Sequence, residues 1–571
     1  MNRVSTRVSV GGRGPRRIVL GAAASLLAIL ALAPSLSAQE WAFPGPHRFF
    51  IQFYPGNLVV SRSAYDNLSS NVTVGEQLPP NCAPANCVSA VADGTFPFIF
   101  NNAPVDGSFG ITSRIFLDQI TPWGFPIDTL EVPNSLMRHI TSTSDQLVTS
   151  FSSKSELALH LSTDGRYLSF MGYVAPVNTL DVSNGNTPGV VDPTNPDPQA
   201  YYRAAARVDR WGNFDFTETN AYSGDNGRAV ILNNTSGNPI FYAAGNAGNG
   251  SNPQPTGVVL GAGAQFLNFV EQPEDKQTPG TPTPLASFNV TQLGDKADKV
   301  GKDDNFRGVA VYNNVVYYIK GSGGNGVNTV YFVDTTGKAC PNGVGLPSSS
   351  ATLPIAPLSY PSPLPSTGLP SNMCILAGFP TVLAKKATMF PFSIWFANAA
   401  TLYVADEGDG YTGGTDLYTH AAAQTTAGLE KWIFNSTSDQ WELAYTLTSG
   451  LDIGTPYTVP GFPTGTNSAT GLPWSPTTDG LRNIVGQVNR DGSVTIWAVT
   501  STVSGDGDTG ADPDKLVVIT DNLANATASG ASGETFYTLR TAGFGEVLRG
   551  VSFTPGTGSD DDRGFAFGGG W

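Results

Sequence analysis

Charge is scarce in this chain. Only 13% of its 571 residues are Asp, Glu, Lys or Arg, roughly half the usual share. That excludes a coiled coil or a helical bundle, which need far more charge together with Leu, Ala, Glu and Lys. Histidine is rarer still: His47, His139, His160 and His420 are the full set, and none sits in an HExxH or similar pair. There is no GxSxG nucleophile elbow, no P-loop, and no GxGxxG between a strand and a helix, which removes the hydrolase and nucleotide classes those motifs mark. Acids are plentiful enough for a glycosidase-type carboxylate pair, yet nothing in the sequence singles one out. After residue 33 no apolar run approaches the ~20 residues of a membrane span.

What is present is glycine and proline, 65 and 42 residues, close to a fifth of the chain. Hydrophobic content is 40% and aromatic content 10%, which argues against global disorder. A loop-rich, all-β protein with ample length for a core remains.

Residues 1–38 read as a secretory signal peptide. Arg3, Arg7, Arg13, Arg16 and Arg17 come with no acid, then an apolar run from Ile18 to Ala33, then small residues ending at Ala38; this is the layout a signal peptidase cuts. Pro15 to Leu20 partly resembles a twin-arginine export signal; an ordinary leader with two adjacent arginines is the alternative. The cut would move the net charge from −15 to −20, because it removes five arginines and no acid. Such a protein is repelled by nucleic acid and by anionic membranes. The expected location is secreted or periplasmic, in a bacterium, and residues 39–571 are expected to form a single domain.

Four cysteines in an exported chain suggest disulfides. Proximity favours Cys82–Cys87 and Cys340–Cys374, the second stapling a Pro/Ser-rich excursion from Pro341 to Asn372. A metal–thiolate site fits worse, because no histidine lies near and the spacing matches no zinc pattern.

One segment recurs at intervals of roughly 70–90 residues: an apolar strand, a tight turn, a second strand. It appears in Glu156–Tyr173 with Asp164-Gly165, in Asn226–Ala244, in Asn305–Lys320 with Asn313-Asn314, in Met389–Ala405, and in Leu481–Thr500 with Asp491-Gly492. These are hairpins by composition and turn chemistry, and their continuous apolar runs suggest burial on both faces. Weaker strands follow, such as Leu429–Phe434 with Glu442–Leu447, and Lys515–Thr520 with Phe536–Arg540. Four strands per repeat make a propeller blade. Val547–Phe553 starts a sixth repeat with no second strand after it, while Phe53–Arg62 looks like a second strand lacking a first. Joined, with Ile111–Leu117 and Ile127–Val132 completing the blade, they would close a ring of six, or of seven if residues 67–102 hide further strands. Long loop insertions are expected at 67–107, 184–199, 272–286, 341–372 and 454–478.

Four of the inner strands start alike: Asp225–Arg228, Asp304–Arg307, Asp479–Arg482 and Glu546–Arg549 each read acid, two residues, Arg. Inner strands line the channel of a propeller, so Arg228, Arg307, Arg482 and Arg549 would ring one mouth. There a guanidinium fork can take a ligand carboxylate or phosphate; alternatively each arginine pairs with an acid and locks blade to blade. Gly-rich loops follow the second strands, at Gly245–Gly250, Gly321–Gly326, Asp406–Gly410 and Ser504–Gly510. In an up-down blade they share the face of the arginines. Two of them carry acids: Asp406, Glu407 and Asp409 in one, Asp506 and Asp508 in the other, with Asp512 and Asp514 just beyond. Such oxygen-rich loops suit Ca2+, although neither has EF-hand spacing; a solvated turn is the alternative. His160 and most tryptophans sit on strands and read as core, while Trp474, in a Pro/Gly loop, is a candidate for stacking on a sugar or peptide. Asn-x-Ser/Thr sites at Asn67, Asn71, Asn233, Asn234, Asn289, Asn435 and Asn525 read as polar surface in a bacterial protein.

The phrase LSTDGRYLSFMGY, Leu161 to Tyr173, resembles the strand-DG-strand hairpins of TolB-like propellers. The single exported ring is also similar to NHL and gluconolactonase-type propellers. This resemblance covers the blade hairpins and implies the fold; it carries over no catalytic residue. The leading expectation is a non-catalytic exported propeller that binds a small molecule, glycan or protein across the Arg/Gly-loop face. The alternative is a Ca2+-dependent hydrolase or lactonase using the acids of that face.

Overall fold

The computed structural model describes residues 52–66, 68–71, 73, 75–78, 88–89, 110–133, 147–188, 199–246, 263–269, 286–288, 305–322, 326–340, 342–358, 372–467, 471–507 and 509–558. All of them belong to the unit that begins at Phe50. The leader, Cys82, Cys87, Asp304, Asp508, His47 and His139 lie outside the described residues.

The first strands in the chain are β1 (Leu58–Ala64), β2 (Gln77–Leu78), β3 (Val88–Ser89), β4 (Thr112–Ile120), β5 (Pro126–Glu131), β6 (Leu147–Ser150), β7 (His160–Leu161), β8 (Tyr167–Val174), β9 (Arg203–Asp209) and β10 (Phe214–Thr219). Four separate sheets follow. One holds β11 (Gly227–Asn233), β12 (Ile240–Gly245), β13 (Ala264–Asn268) and β14 (Ala286–Phe288). The next holds β15 (Gly308–Tyr312), β16 (Val315–Lys320), β17 (Thr329–Val333), β18 (Val344–Gly345) and β19 (Met373–Leu376). A third holds β20 (Pro391–Asn398), β21 (Thr401–Asp406), β22 (Gly428–Asn435) and β23 (Gln440–Leu447). The last holds β24 (Thr477–Val488), β25 (Ser493–Val503), β26 (Lys515–Asn522) and β27 (Tyr537–Thr541). These sheets are arranged like propeller blades. The final strand, β28 (Glu546–Phe553), pairs antiparallel with β1, Leu58 opposite Phe553 and Ala64 opposite Glu546. β1 in turn pairs β4, and β4 pairs β5.

The hairpins follow from their turns. Asn313 and Asn314 both take positive φ, 48° and 62°, the backbone a two-residue β15–β16 connection requires and asparagine tolerates. First and second strands are apolar because both faces are covered: every residue of β11, β12 and β16 is buried. Outer strands β5 and β27 are mostly exposed. One hairpin is shorter than its sequence suggests. Glu156 to Leu159 do not join β7, because Leu157 adopts φ 61° and Glu156 turns inward to accept bonds from Thr149 Oγ1 and the Ser150 amide.

The core lies between neighbouring sheets. Val59, Ile115 and Leu117 pack with Leu168, Phe170 and Phe216, and Met171 and Ala205 pack with Val230 and Phe241. Ile231 and Tyr242 meet Tyr318 and Phe332, which meet Ile394 and Trp432. Tyr403 and Leu429 meet Leu481 and Ile496, and Trp497 and Val499 meet Leu58, Val60 and Val551. Each buried Leu, Ile or Phe contributes about 1.5–3 kcal/mol, so sheet-to-sheet packing dominates the stability. A disulfide joins Cys340 to Cys374 as expected. No helix among the described residues is long and apolar enough to cross a membrane.

A cavity of about 570 Å3 is walled by residues of β7, β11, β15, β20, β24 and β28. Of the arginines of the recurring motif, Arg228 is near the start of β11, Arg307 just ahead of β15, and Arg482 and Arg549 midway along β24 and β28; each precedes its strand's cavity-lining residues in sequence.

Candidate functional site

All four arginines are buried, at 2–5% exposure. Arg228, Arg307 and Arg549 reach outside their own sheets, and Arg482 reaches a loop of its own sheet. Arg228 reaches the Asn305 side chain and the Phe306 carbonyl, at 3.0 Å for the latter. Arg307 donates to the Ser155 hydroxyl. Arg482 donates to the Thr509 carbonyl at 2.7 Å, and Arg549 to the Phe151 carbonyl.

The acids of the motif take partners of their own. Asp225 takes the Asn246 side chain, Asp479 takes the Gly410 amide and Gln424, and Glu546 takes Arg62 and Arg540. The anion that gathers the arginines is Glu407, from the loop after β21. Its carboxylate lies 3.4 Å from Arg307 Nε, 3.5 Å from Arg482 Nε and 3.2 Å from Lys154 Nζ. Burial alone would raise the Glu407 pKa, but the charges of Lys154, Arg307 and Arg482 prevail and hold it below the usual carboxylate range. The same crowding acts on Lys154: burial, with help from the two arginines and against Glu407, brings its ammonium down to about 8.

The loop continues outward to a second cluster. Gly408 takes φ +78°, and a Cβ there would lie 2.4 Å from Asp479 Oδ2; only glycine lets the loop fold over Asp479. The next residue, Asp409, accepts the Tyr411 amide at 3.1 Å and His420 Nε2 at 2.7 Å. His420 lies on the short helix α1 (Leu417–Ala422), and its ring stacks on Tyr411 at 4.0 Å. Tyr411 donates its hydroxyl to Asp416 at 3.1 Å. The His420 and Asp409 side chains are 36% and 30% exposed, against 2% for Glu407. This is an imidazole oriented by a carboxylate and open to solvent. Among the described residues no serine, threonine or cysteine bonds to it, so no nucleophile is in place.

Three buried carboxyls lie on these loops and the adjoining strand ends. Asp406 is pushed up to about 7 by burial, although the Phe390 and Gly408 amides donate to it at 2.7 and 2.9 Å. Asp479 rises to about 6 through burial, with the Asp409 charge adding to it. Asp514 rises to about 7 through burial, against the Leu548 amide at 2.8 Å. The oxygens of Asp406 and Asp409 are thus engaged by protein donors. Asp506 is buried. Among the described residues the one close trio of metal-type ligands is Asp334, Cys340 and Cys374, and there both sulfurs are spent in the disulfide. Trp474 is half-buried, edge-on to Phe462 at 6.5 Å.

Sequence reasoning found the arginines and Asp409 but missed Lys154, His420 and the role of Glu407. The signal for Glu407 was its place in a Gly loop on the arginine face. His420 carried none beyond being one of four histidines.

No family model matches this chain, and no curated protein matches it. Among solved structures it is similar to one described as NanB plus Optactamide, at 7% identity and a TM-score of 0.29, covering 68% of this chain and 60% of that one. It is also similar to an ulvan lyase of a new polysaccharide lyase family, at 11% identity and a TM-score of 0.29, covering 77% and 92%. A B. megaterium levansucrase variant matches at 10% identity and a TM-score of 0.24, covering 70% and 92%. The chain spans about 60% of the length of the first of these. At such scores none bears on what the site does.

Proposed function

We propose that the chain is an exported six-bladed propeller that binds a ligand or partner, without transforming it, on the face carrying the arginines and Gly-rich loops. Six strands share one cavity wall, and the sheet of β24–β27 packs against β1 and β28. Both facts support six blades, with the β1–β28 pairing as the closure. The leader sequence supports export, and the hairpin phrase from Leu161 supports kinship with TolB-like, NHL or gluconolactonase-type rings.

The observation that carries the binding reading is the Asp409–His420 pair. It is partly exposed and stacked on Tyr411, and it lies just beyond Glu407, whose own charge is already taken up by Lys154, Arg307 and Arg482. In this reading Arg228, Arg307, Arg482 and Arg549 stiffen the face from behind, and His420, Asp409, Tyr411 and Asp416 meet the ligand. Carboxylates, an imidazole and a phenol suit a hydroxyl-rich small molecule, a glycan, or polar groups of a protein.

The hydrolase or lactonase alternative draws on Asp406, Asp479 and Asp514, whose raised pKa values suit general acids near neutral pH. Calcium belongs to that alternative, at Asp506 and Asp508 with Asp512.

The test is a small-molecule and glycan array with the wild type and His420→Ala, plus a screen for lactone and phosphoester turnover with and without chelator. Binding at least about tenfold weaker in His420→Ala, at an unchanged melting temperature, is expected. Turnover that disappears in Asp479→Asn or with chelator would replace the binding reading with the hydrolase.

A further inference from the structure

We infer that the cavity walled by β7, β11, β15, β20, β24 and β28 is a second binding site, for an uncharged, flat, largely apolar small molecule carrying at least one hydrogen-bonding group. None of the four motif arginines lines it, and it does not depend on the function proposed for their face.

Size comes first. About 570 Å3 falls within the range of sites that enclose small molecules, roughly 300–1,000 Å3. Charge comes second. No Asp, Glu, Lys or Arg is among the lining residues. The one titratable imidazole in the wall, His160, is held neutral at physiological pH, because burial brings its pKa down to about 4 despite a bond to the Val230 carbonyl. A charged ligand would lose its hydration there and gain no counter-charge.

Shape comes third. Tyr312 and Phe396 stack in parallel at 4.4 Å and 6°, and both line the cavity. Trp395 lies flat against the backbone of β24, since a Cβ at Gly486 would sit 2.6 Å from the indole ring. These are fixed, flat walls, and a planar ring gains most contact area against them.

The wall also carries neutral hydrogen-bonding groups, from Ser162, Thr163, Thr235, Asn313 and Asn314, beside the apolar surface of Leu161, Ile231, Val485 and Val551. A polar edge on the ligand would meet the first set and its rings the second.

The experiment is fluorescence titration of the full chain with N-phenylnaphthylamine, an uncharged aromatic probe with one N–H, beside the anionic probe anilinonaphthalene sulfonate. The expected result is saturable binding of one equivalent of the uncharged probe, at least about tenfold tighter than the anion, with energy transfer from tryptophan. Ala310→Trp and Ser552→Trp fill the cavity from two sides and should each abolish binding at an unchanged melting temperature. His420→Ala should leave it as it is, which separates this site from the other face. Absence of saturable binding to the wild type, equal affinity for both probes, or wild-type affinity in the folded Trp variants would each overturn the proposal. The comparison of probes on the wild type decides the matter even where a variant does not fold.

Discussion

Glu407 draws charges from three distant parts of the chain onto one carboxylate: Lys154, Arg307 and Arg482. Burying several like charges together is unfavourable, and a central anion offsets it. Replacing Glu407 with Gln leaves three cations facing one another without compensation. The expected cost is about 3–5 kcal/mol, the usual penalty for breaking a buried ion pair from one side, read from urea unfolding at neutral pH. A variant as stable as the wild type would mean that the arginines are held by carbonyls alone. The four arginines were legible because they recur at fixed places in the repeat. Their anion was not, because Glu407 occurs in one blade only and no local pattern says which acid reaches across to them. The motif acids misled for the same reason: Asp479 lies three residues from Arg482 in sequence, yet its carboxylate bonds the Gly410 amide and Gln424.

At the scale of the element, the hairpins were readable and the loops were not. Asn313-Asn314 carries its turn chemistry in its own two residues, and β22 and β26 are marked by apolar runs, with β23 and β27 following as weaker strands. β7 is short because Leu157 and Glu156 answer to tertiary contacts, which no run of residues displays. The loop from Asp406 to Gly410 is of the same kind. Its course rests on Gly408, where positive φ and the approach of Asp479 coincide. Gly408→Ala should therefore lower stability by about 1–3 kcal/mol, seen as a drop in melting temperature. The substitution should also disturb Asp409 and His420, so that binding on this face weakens beyond what the stability loss explains. Gly492, at an open turn with nothing near its Cβ direction, is the control for positive φ alone.

For the whole molecule, the buried acids set the pH response. Asp406, Asp479 and Asp514 have folded pKa values of about 7, 6 and 7, above the unfolded value of ~3.9. The folded state therefore holds more protons across that window, and stability falls as pH rises from about 4 to about 7. Glu407 works the other way, because its folded pKa is depressed; its contribution is present above the unfolded value of ~4.3 and is lost on acidification below it. Together they place the maximum on the mildly acidic side. The urea midpoint should be higher near pH 5 than near pH 8, and Asp406→Asn or Asp514→Asn should flatten the slope. A midpoint that climbs from pH 5 to 8 would contradict this assignment.

The pairing of β1 with β28 joins residues some five hundred positions apart, and this governs the order of events when the chain folds. A ribosome finishes β28 last, so β1 spends the whole of synthesis with one edge unmatched. Contacts of such long range form slowly, and an unmatched strand edge invites neighbouring chains. The molecule therefore completes itself only once its last strand has been made, with its first strand waiting for it.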